Sequence, residues 1–347
     1  MKLGITGLTK SGRSTVFAAL TGARGDQDAA SSHTDSRIAT VTVPDKRVDF
    51  LKEIYKPKKT IYSKVEYFLP SEVHSINPQK KDAEIWNQLK TCDALLHIVR
   101  NFQVHMGASP SPAQDFQQLE EEMLLSDLAV VEKRIERLAL DRKRGKKPGE
   151  EEATLMESCM GILENGEPLR NDPTLANNPL LKGFTFLSAK PMLVIINNED
   201  DVETYPNWPN KTPNINFLVV RGNLEKDIAI MSEDEAGEFL EMYNIKESAL
   251  DRVIRSSYSL LKLISFFTVG SDEVKAWPIK DGTLALDAAG TIHSDIKQGF
   301  IRAETLFYGD LKVRGSFQQA KKAGLVRLEG KEYIVKDGDI MNFRFNI

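Results

Sequence analysis

The chain has 347 residues, 41% hydrophobic and 28% charged, which fits a globular protein of two or three domains, each able to build a core. Its 46 Lys and Arg nearly balance 50 Asp and Glu, for a net charge of −4. That excludes a global electrostatic footprint for nucleic acid, so any basic patch has to be local. Cys92 and Cys159 stand far apart without metal-ligand or redox spacing, no apolar run is long enough to span a bilayer, and no signal peptide opens the chain; a reducing, cytoplasmic setting is expected.

From the N-terminus, Lys2-Leu3-Gly4-Ile5-Thr6 reads as a short buried strand. Gly7-Leu8-Thr9-Lys10-Ser11-Gly12-Arg13-Ser14-Thr15 follows as a glycine-bounded loop, and Val16 to Leu20 as the first turns of a helix. The loop has the G-x-x-x-x-G-K-[ST] spacing of a phosphate-binding P-loop, with Arg13 where lysine is expected. Such a loop aims its amides and the following helix N-terminus at one anion. The candidate nucleotide-binding residues are Thr9, Lys10, Ser11, Gly12, Arg13, Ser14 and Thr15. Ser14 would offer its hydroxyl to Mg²⁺ and Thr15 would reach an inner phosphate. Arg13 keeps the lysine charge on a wider, planar fork, which is not a conservative exchange. The bland alternative is a glycine-containing turn between strand and helix with no ligand.

Residues 21–37 read as a polar loop in the place where a GTPase-like fold carries its first switch. A strand, Ile38 to Val43, closes at Pro44-Asp45. Val48, Leu51 and Ile54 share one face of a helix that ends before Pro57. Val65 to Leu69 reads as a strand stopped by Pro70, residues 71–82 as a polar loop, Ala83 to Lys90 as a helix and Ala94 to Arg100 as a buried strand. Strands alternating with helices predict a mostly parallel α/β sheet.

The pattern changes near Gln114. Apolar residues recur at helical spacing to Asp141, and again from Glu150 to Leu163, predicting an antiparallel helical hairpin over 114–180. Its tip, Arg142-Lys143-Arg144-Gly145-Lys146-Lys147-Pro148-Gly149, concentrates basic side chains. Arg142, Lys143, Arg144, Lys146 and Lys147 are candidates for contact with RNA or another partner, because local cations bind phosphate whatever the net charge; the alternative is a solvated turn.

After the hairpin the α/β pattern resumes. Pro191 to Ile196 reads as a buried strand running into Asn197-Asn198-Glu199-Asp200, and Phe217 to Val220 as the next. Glu233 to Tyr243 and Ser248 to Leu263 read as helices. The last 80 or so residues carry Lys280-Asp281-Gly282 and Lys336-Asp337-Gly338 turns, strands at Tyr333 to Val335 and Met341 to Phe345, and one helix around Phe317 to Ala323. They predict a β-rich, ubiquitin-like interaction module.

The order of P-loop, Val43-Pro44-Asp45, helical hairpin, Asn197-x-x-Asp200 and β-rich tail resembles the YchF family, the Obg-like ATPases. The tail carries the most specific likeness: Ala276-Trp277-Pro278-Ile279, Ala288 to Asp295, Lys297 to Glu304 and Lys336 to Asn346. The resemblance implies an α/β fold of the P-loop NTPase, GTPase-like class with a coiled-coil insertion and a C-terminal β-grasp TGS domain. The expected boundaries are 1–113 with 181–265, 114–180 and 266–347. It also implies ATP or GTP binding, Mg²⁺, slow hydrolysis and ribosome association, with Asn197, Asn198 and Asp200 at the base.

Two departures stand out. The family's Asp-x-x-Gly switch motif is replaced by Leu69-Pro70-Ser71-Glu72: leucine cannot hold a magnesium-bound water, and Pro70 has no amide hydrogen for a phosphate. At the base, Asp200 takes the guanine-reading position while Asn198 removes the lysine stem, so adenine and guanine stay open. Two functions are carried forward: a nucleotide-binding protein with weak or no hydrolysis, associating with the ribosome or RNA, or a non-nucleotide scaffold bearing the arm and tail to such a partner.

Overall fold

The computed structural model describes residues 1–22, 36–71, 78–104, 107–145, 149–208, 215–242 and 248–346, without the side chains of 78–83 and 233. Most of the expected switch loop, together with Glu72, Lys146 and Lys147, lies outside the described residues. The chain divides into two compact units, Met1–Thr40 with Glu66–Val253, and Val41–Val65 with Ile254–Ile347.

In the first unit β1 (Lys2–Thr6) leads to α1 (Arg13–Thr21), and β2 (Arg37–Thr42) begins there. The chain returns with β4 (Lys64–Leu69), α3 (Pro78–Leu89) and β5 (Ala94–Asn101). The hairpin helices are α4 (Pro112–Lys143) and α5 (Glu150–Glu164), followed by the short α6 (Pro173–Ala176). The unit closes with β6 (Met192–Asn198), β7 (Asn216–Val220), α7 (Gly222–Ile230), α8 (Glu233–Met242) and the start of α9 (Ala249–Leu260). The sheet order among the described residues is β2-β4-β1-β5-β6-β7. Four pairings, β4 and β5 with β1, β5 with β6 and β6 with β7, are parallel. Seven consecutive buried residues in β6 show why the central strands read as unbroken apolar runs: both faces are covered.

At its base α4 packs Phe116, Leu119 and Met123 into the sheet core with Leu95, Val99 and Val194. Farther out, Val131 and Leu138 meet Ala153, Met156 and Cys159 of α5. Arg134 grips Glu152 in a two-pronged pair at 2.7 and 2.9 Å. At 32 residues and ~1.5 Å of rise each, α4 is roughly 48 Å long. The fully buried Asp127 accepts from the Leu187 and Ser188 amides at 3.0 and 2.7 Å, tying the hairpin base to the segment that enters β6.

The second unit holds α2 (Lys46–Tyr55), β3 (Lys59–Ile61), β8 (Leu263–Val269), β9 (Glu273–Lys280), α10 (Ala285–Ile292), α11 (Ser294–Gln298), β10 (Phe300–Phe307), α12 (Tyr308–Arg314), α13 (Phe317–Lys322), β11 (Arg327–Glu329) and β12 (Asp339–Phe345). Its sheet order is β11-β10-β12-β8-β9-β3. A β8–β9 hairpin, the helix α10 and a last strand parallel to β8 make the β-grasp arrangement.

The structure corrects the sequence in three places here. Residues 41–65 cluster with the C-terminal part, not with the P-loop unit: Val48 and Leu51 of α2 pack with Phe267, Leu306 and Ile340, and β3 extends the sheet beside β9. Arg47, bound to Asp45, also reaches Asp337 at 2.7 Å. Tyr333 to Val335 forms no strand, only an isolated bridge from Ile334 to Leu284. Four helices, not one, occur among the described residues after 280, and the helix expected to run to Leu263 stops at Leu260, where β8 soon begins.

Candidate functional site

The carboxyl ends of β1, β5, β6 and β7 deliver the loop at 7–12, Phe102, Asn197 to Asp200, and Arg221-Gly222 to one edge of a parallel sheet, where open α/β folds place their ligands. The loop turns tightly, the Ser11 amide donating to the Leu8 carbonyl at 3.1 Å. Exposed Lys10 adopts φ 66°, a left-handed conformation that costs ~1–3 kcal/mol in a non-glycine residue and clusters at ligand clamps. Gly12 takes φ 94° and caps α1, whose first intrahelical bond runs from Val16 N–H to the Gly12 carbonyl. The Arg13, Ser14 and Thr15 amides therefore have no acceptor within the helix. No acidic residue stands in the first turn, so amides and helix dipole together favour an anion. Ser14 is exposed, Arg13 and Thr15 half-buried. The Ser11 hydroxyl is buried without a partner and turned under the loop, where a Cβ on Gly7 would stand 2.7 Å away; Ser11 thus presents backbone to the outside.

The structure gives the Asn197 to Asp200 segment roles that spacing could not. Asn197, 4% exposed, donates its Nδ2 to the Ser11 carbonyl at 3.1 Å and accepts the Gly222 amide on Oδ1 at 2.9 Å. It locks the loop to the start of α7, its side-chain amide spent on backbone groups. Gly12 is needed for this lock as well as for phosphate approach, because a Cβ there would lie 2.2 Å from Asn197 Nδ2. Asn198 is equally buried; its Nδ2 donates to the Val202 and Thr204 carbonyls, and its Oδ1 accepts from Asn101. It shapes the 199–204 turn and has no donor left for a base. Exposed Asp200 accepts the Leu224 amide at 3.2 Å, and Glu199 accepts the Gln103 amide at 2.5 Å. Asn101 and Gln103 were missed in the sequence, where the end of a buried strand carries no signal of such a network.

Two curated proteins named "Ribosome-binding ATPase YchF", from Bacillus subtilis and Escherichia coli O157:H7, are each 36% identical to this chain. The alignments cover 99% and 100% of it respectively, and 99% of each relative. The chain belongs to the YchF family. A solved structure titled as the Schizosaccharomyces pombe YchF GTPase superposes with a TM-score of 0.85 at 28% identity, covering 99% of this chain and 97% of the other. A GTP binding protein from Pyrococcus horikoshii shares the fold, at TM-score 0.61, 17% identity and full coverage of both chains. The family profile YchF-GTPase_C, described as "Protein of unknown function (DUF933)", matches residues 263–346; these belong to the second unit.

Within this YchF fold the end of β4 is closed where the switch motif would open it. Phe68 pairs with Gly4 in parallel register, which brings Pro70 and Ser71 level with Thr6 and Gly7 beside the loop. Leu69 and Pro70 are buried. The Ser71 amide donates to Gln88 Oε1 at 3.2 Å, and Gln88 Nε2 donates to the Ser71 hydroxyl at 3.0 Å. P-loop NTPases generally work with Mg²⁺. Here Ser14 is the one described residue of the expected set that could meet the ion, and among the described residues no group of three or more His, Cys, Asp or Glu could hold a metal. The residues present do not make a magnesium site. At the arm tip Arg142, Lys143 and Arg144 are exposed at the end of α4. Among the described residues no helix is long and apolar enough to cross a membrane.

Proposed function

We propose that this YchF-family chain binds ATP or GTP in the loop from Thr9 to Thr15 and associates with the ribosome or RNA, in the cytoplasm, with little hydrolysis. The observation that carries the reading is the loop itself: a turn with left-handed Lys10 and Gly12, locked by Asn197, that offers the amides of Arg13, Ser14 and Thr15 at the start of α1. Asp200, exposed beside α7, is the carboxylate available at the base end. Relatives named as ribosome-binding ATPases support the partner, and Arg142, Lys143 and Arg144, with Lys146 and Lys147 beyond them, supply phosphate-binding charge at the arm tip.

Phosphoryl transfer depends on positioning and on neutralising charge around the transferred group. With Leu69 and Pro70 at the switch position, turnover is expected at or below the slow intrinsic rate of switch GTPases, on the order of 10⁻⁴ s⁻¹. Thermal unfolding with ATP, GTP and their diphosphates tests binding, since a ligand at 100 times its dissociation constant adds about 2.7 kcal/mol. If no nucleotide stabilises the protein at millimolar concentration, the chain is a scaffold for its arm and tail. Turnover on the order of 1 s⁻¹ that Ser14→Ala abolishes would overturn the slow-hydrolysis reading.

A further inference from the structure

The closed end of β4 changes what the loop can recognise. In a nucleotide switch this strand end supplies a carboxylate for the metal's water and a free amide for the terminal phosphate. Here the same place holds an apolar buried side chain, Leu69, then Pro70, which has no N–H to give. The next amide, that of Ser71, is already spent on Gln88 of α3, and Gln88 returns a bond to the Ser71 hydroxyl, fixing the strand end from both sides. What remains directed at an anion belongs to the loop and α1: backbone amides, the helix dipole, and the cations Lys10 and Arg13, one on each side of Gly12. These groups complement negative charge directly and require no ion between them and the phosphates.

Resting on the nucleotide reading above, we infer that the site takes its ligand as a metal-free diphosphate: it grips the two inner phosphates through the loop and senses neither Mg²⁺ nor a third phosphate. Two fixed side-chain charges stand in for the divalent ion, and Arg13, always protonated and able to bind two oxygens at once, suits that task better than a compact lysine would. The ligand class is the diphosphate group on a nucleoside, with inorganic pyrophosphate as its minimal form.

Isothermal titration of the full chain with ADP, ATP, GDP, GTP and pyrophosphate, each in excess Mg²⁺ and again in EDTA, tests this. Di- and triphosphates of one base should agree within about threefold in affinity, with Mg²⁺ changing neither by more than that, under 1 kcal/mol. Pyrophosphate should compete with the nucleotides, and electron paramagnetic resonance of Mn²⁺ added with ATP should show only the signal of the Mn²⁺–ATP complex free in solution. A tenfold or greater gain in ATP affinity on adding Mg²⁺, or a triphosphate preference of that size, would overturn the inference while leaving nucleotide binding intact. Absence of any binding would instead remove the nucleotide reading and this inference with it.

Discussion

Removing Asn197 should cost stability and also make Gly12 replaceable. Its two amide bonds, 3.1 Å to the Ser11 carbonyl and 2.9 Å from the Gly222 amide, satisfy groups on two residues that are themselves buried. Leaving a buried donor or acceptor unpaired costs ~1–3 kcal/mol, so Asn197→Ala should lose roughly 2–5 kcal/mol, toward the low end if water enters the vacated space. Gly12→Ala has two costs: the left-handed φ of 94°, about 1–2 kcal/mol for an L residue, and the displacement of Asn197 Nδ2, which would stand 2.2 Å from the new Cβ. With the amide already removed only the first remains. The double variant should therefore be about 2 kcal/mol more stable than the sum of the single losses predicts. Urea unfolding by linear extrapolation, in a Trp277→Phe background so that fluorescence reports Trp86 and Trp208 of the first unit, measures each corner of the cycle. Additivity within about 0.5 kcal/mol would refute the clash and the lock with it.

Arg13→Lys should keep or strengthen nucleotide binding, because lysine is the usual occupant of that position; loss of binding by titration calorimetry would show that the fork is required. His97 is fully buried on β5 with Nδ1 unpartnered, and burial, helped by nearby Arg170, pushes its pKa from 6.5 down to about 3. The unfolded chain takes up that proton first, so stability present above pH 6.5 is lost as the pH falls toward 3, at up to about 1.4 kcal/mol per pH unit from this group. His97→Phe, filling the slot beside Phe116, should flatten that part of the acid-unfolding curve; an unchanged slope would remove the assignment. Replacing Arg142, Lys143, Arg144, Lys146 and Lys147 with glutamine should weaken ribosome or RNA binding and reduce the slope of log K against log salt by about 0.7–0.9 per lost phosphate contact. An unaltered salt slope would leave the tip a solvated turn.

Much of the P-loop unit was legible because its signals are local. Glycine spacing, an apolar strand before the loop and helical periodicity after it each report on a few neighbouring residues, and the hairpin declares itself by a 3.6-residue repeat sustained over α4 and α5. Residues 41–65 show where that reading ends. The apolar face of α2, Val48 and Leu51, looks the same whichever core receives it, and β3, only Lys59–Ile61, is too short to carry a period of its own. What assigns the segment to the C-terminal unit is long-range: β3 against β9, Arg47 with Asp337, and the Ser63, Tyr258 and Ser265 hydroxyls meeting in its interior.

The candidate site divides along the same line. Backbone chemistry was visible in advance, because glycine and a helix start dictate where amides point. Side-chain amides were not, since Asn can serve a ligand, a carbonyl or a turn with equal ease, and only the surrounding geometry chooses. Asn197 and Asn198 are both turned inward, one onto the loop and one onto the turn behind it. The recognition surface that remains is built mainly from main-chain N–H groups and two cations. A site of that make-up reads charge and shape at the phosphates more strongly than base identity. The residues nearest the base position are therefore stability positions first, and substitutions there should lower the melting temperature before they alter nucleotide preference.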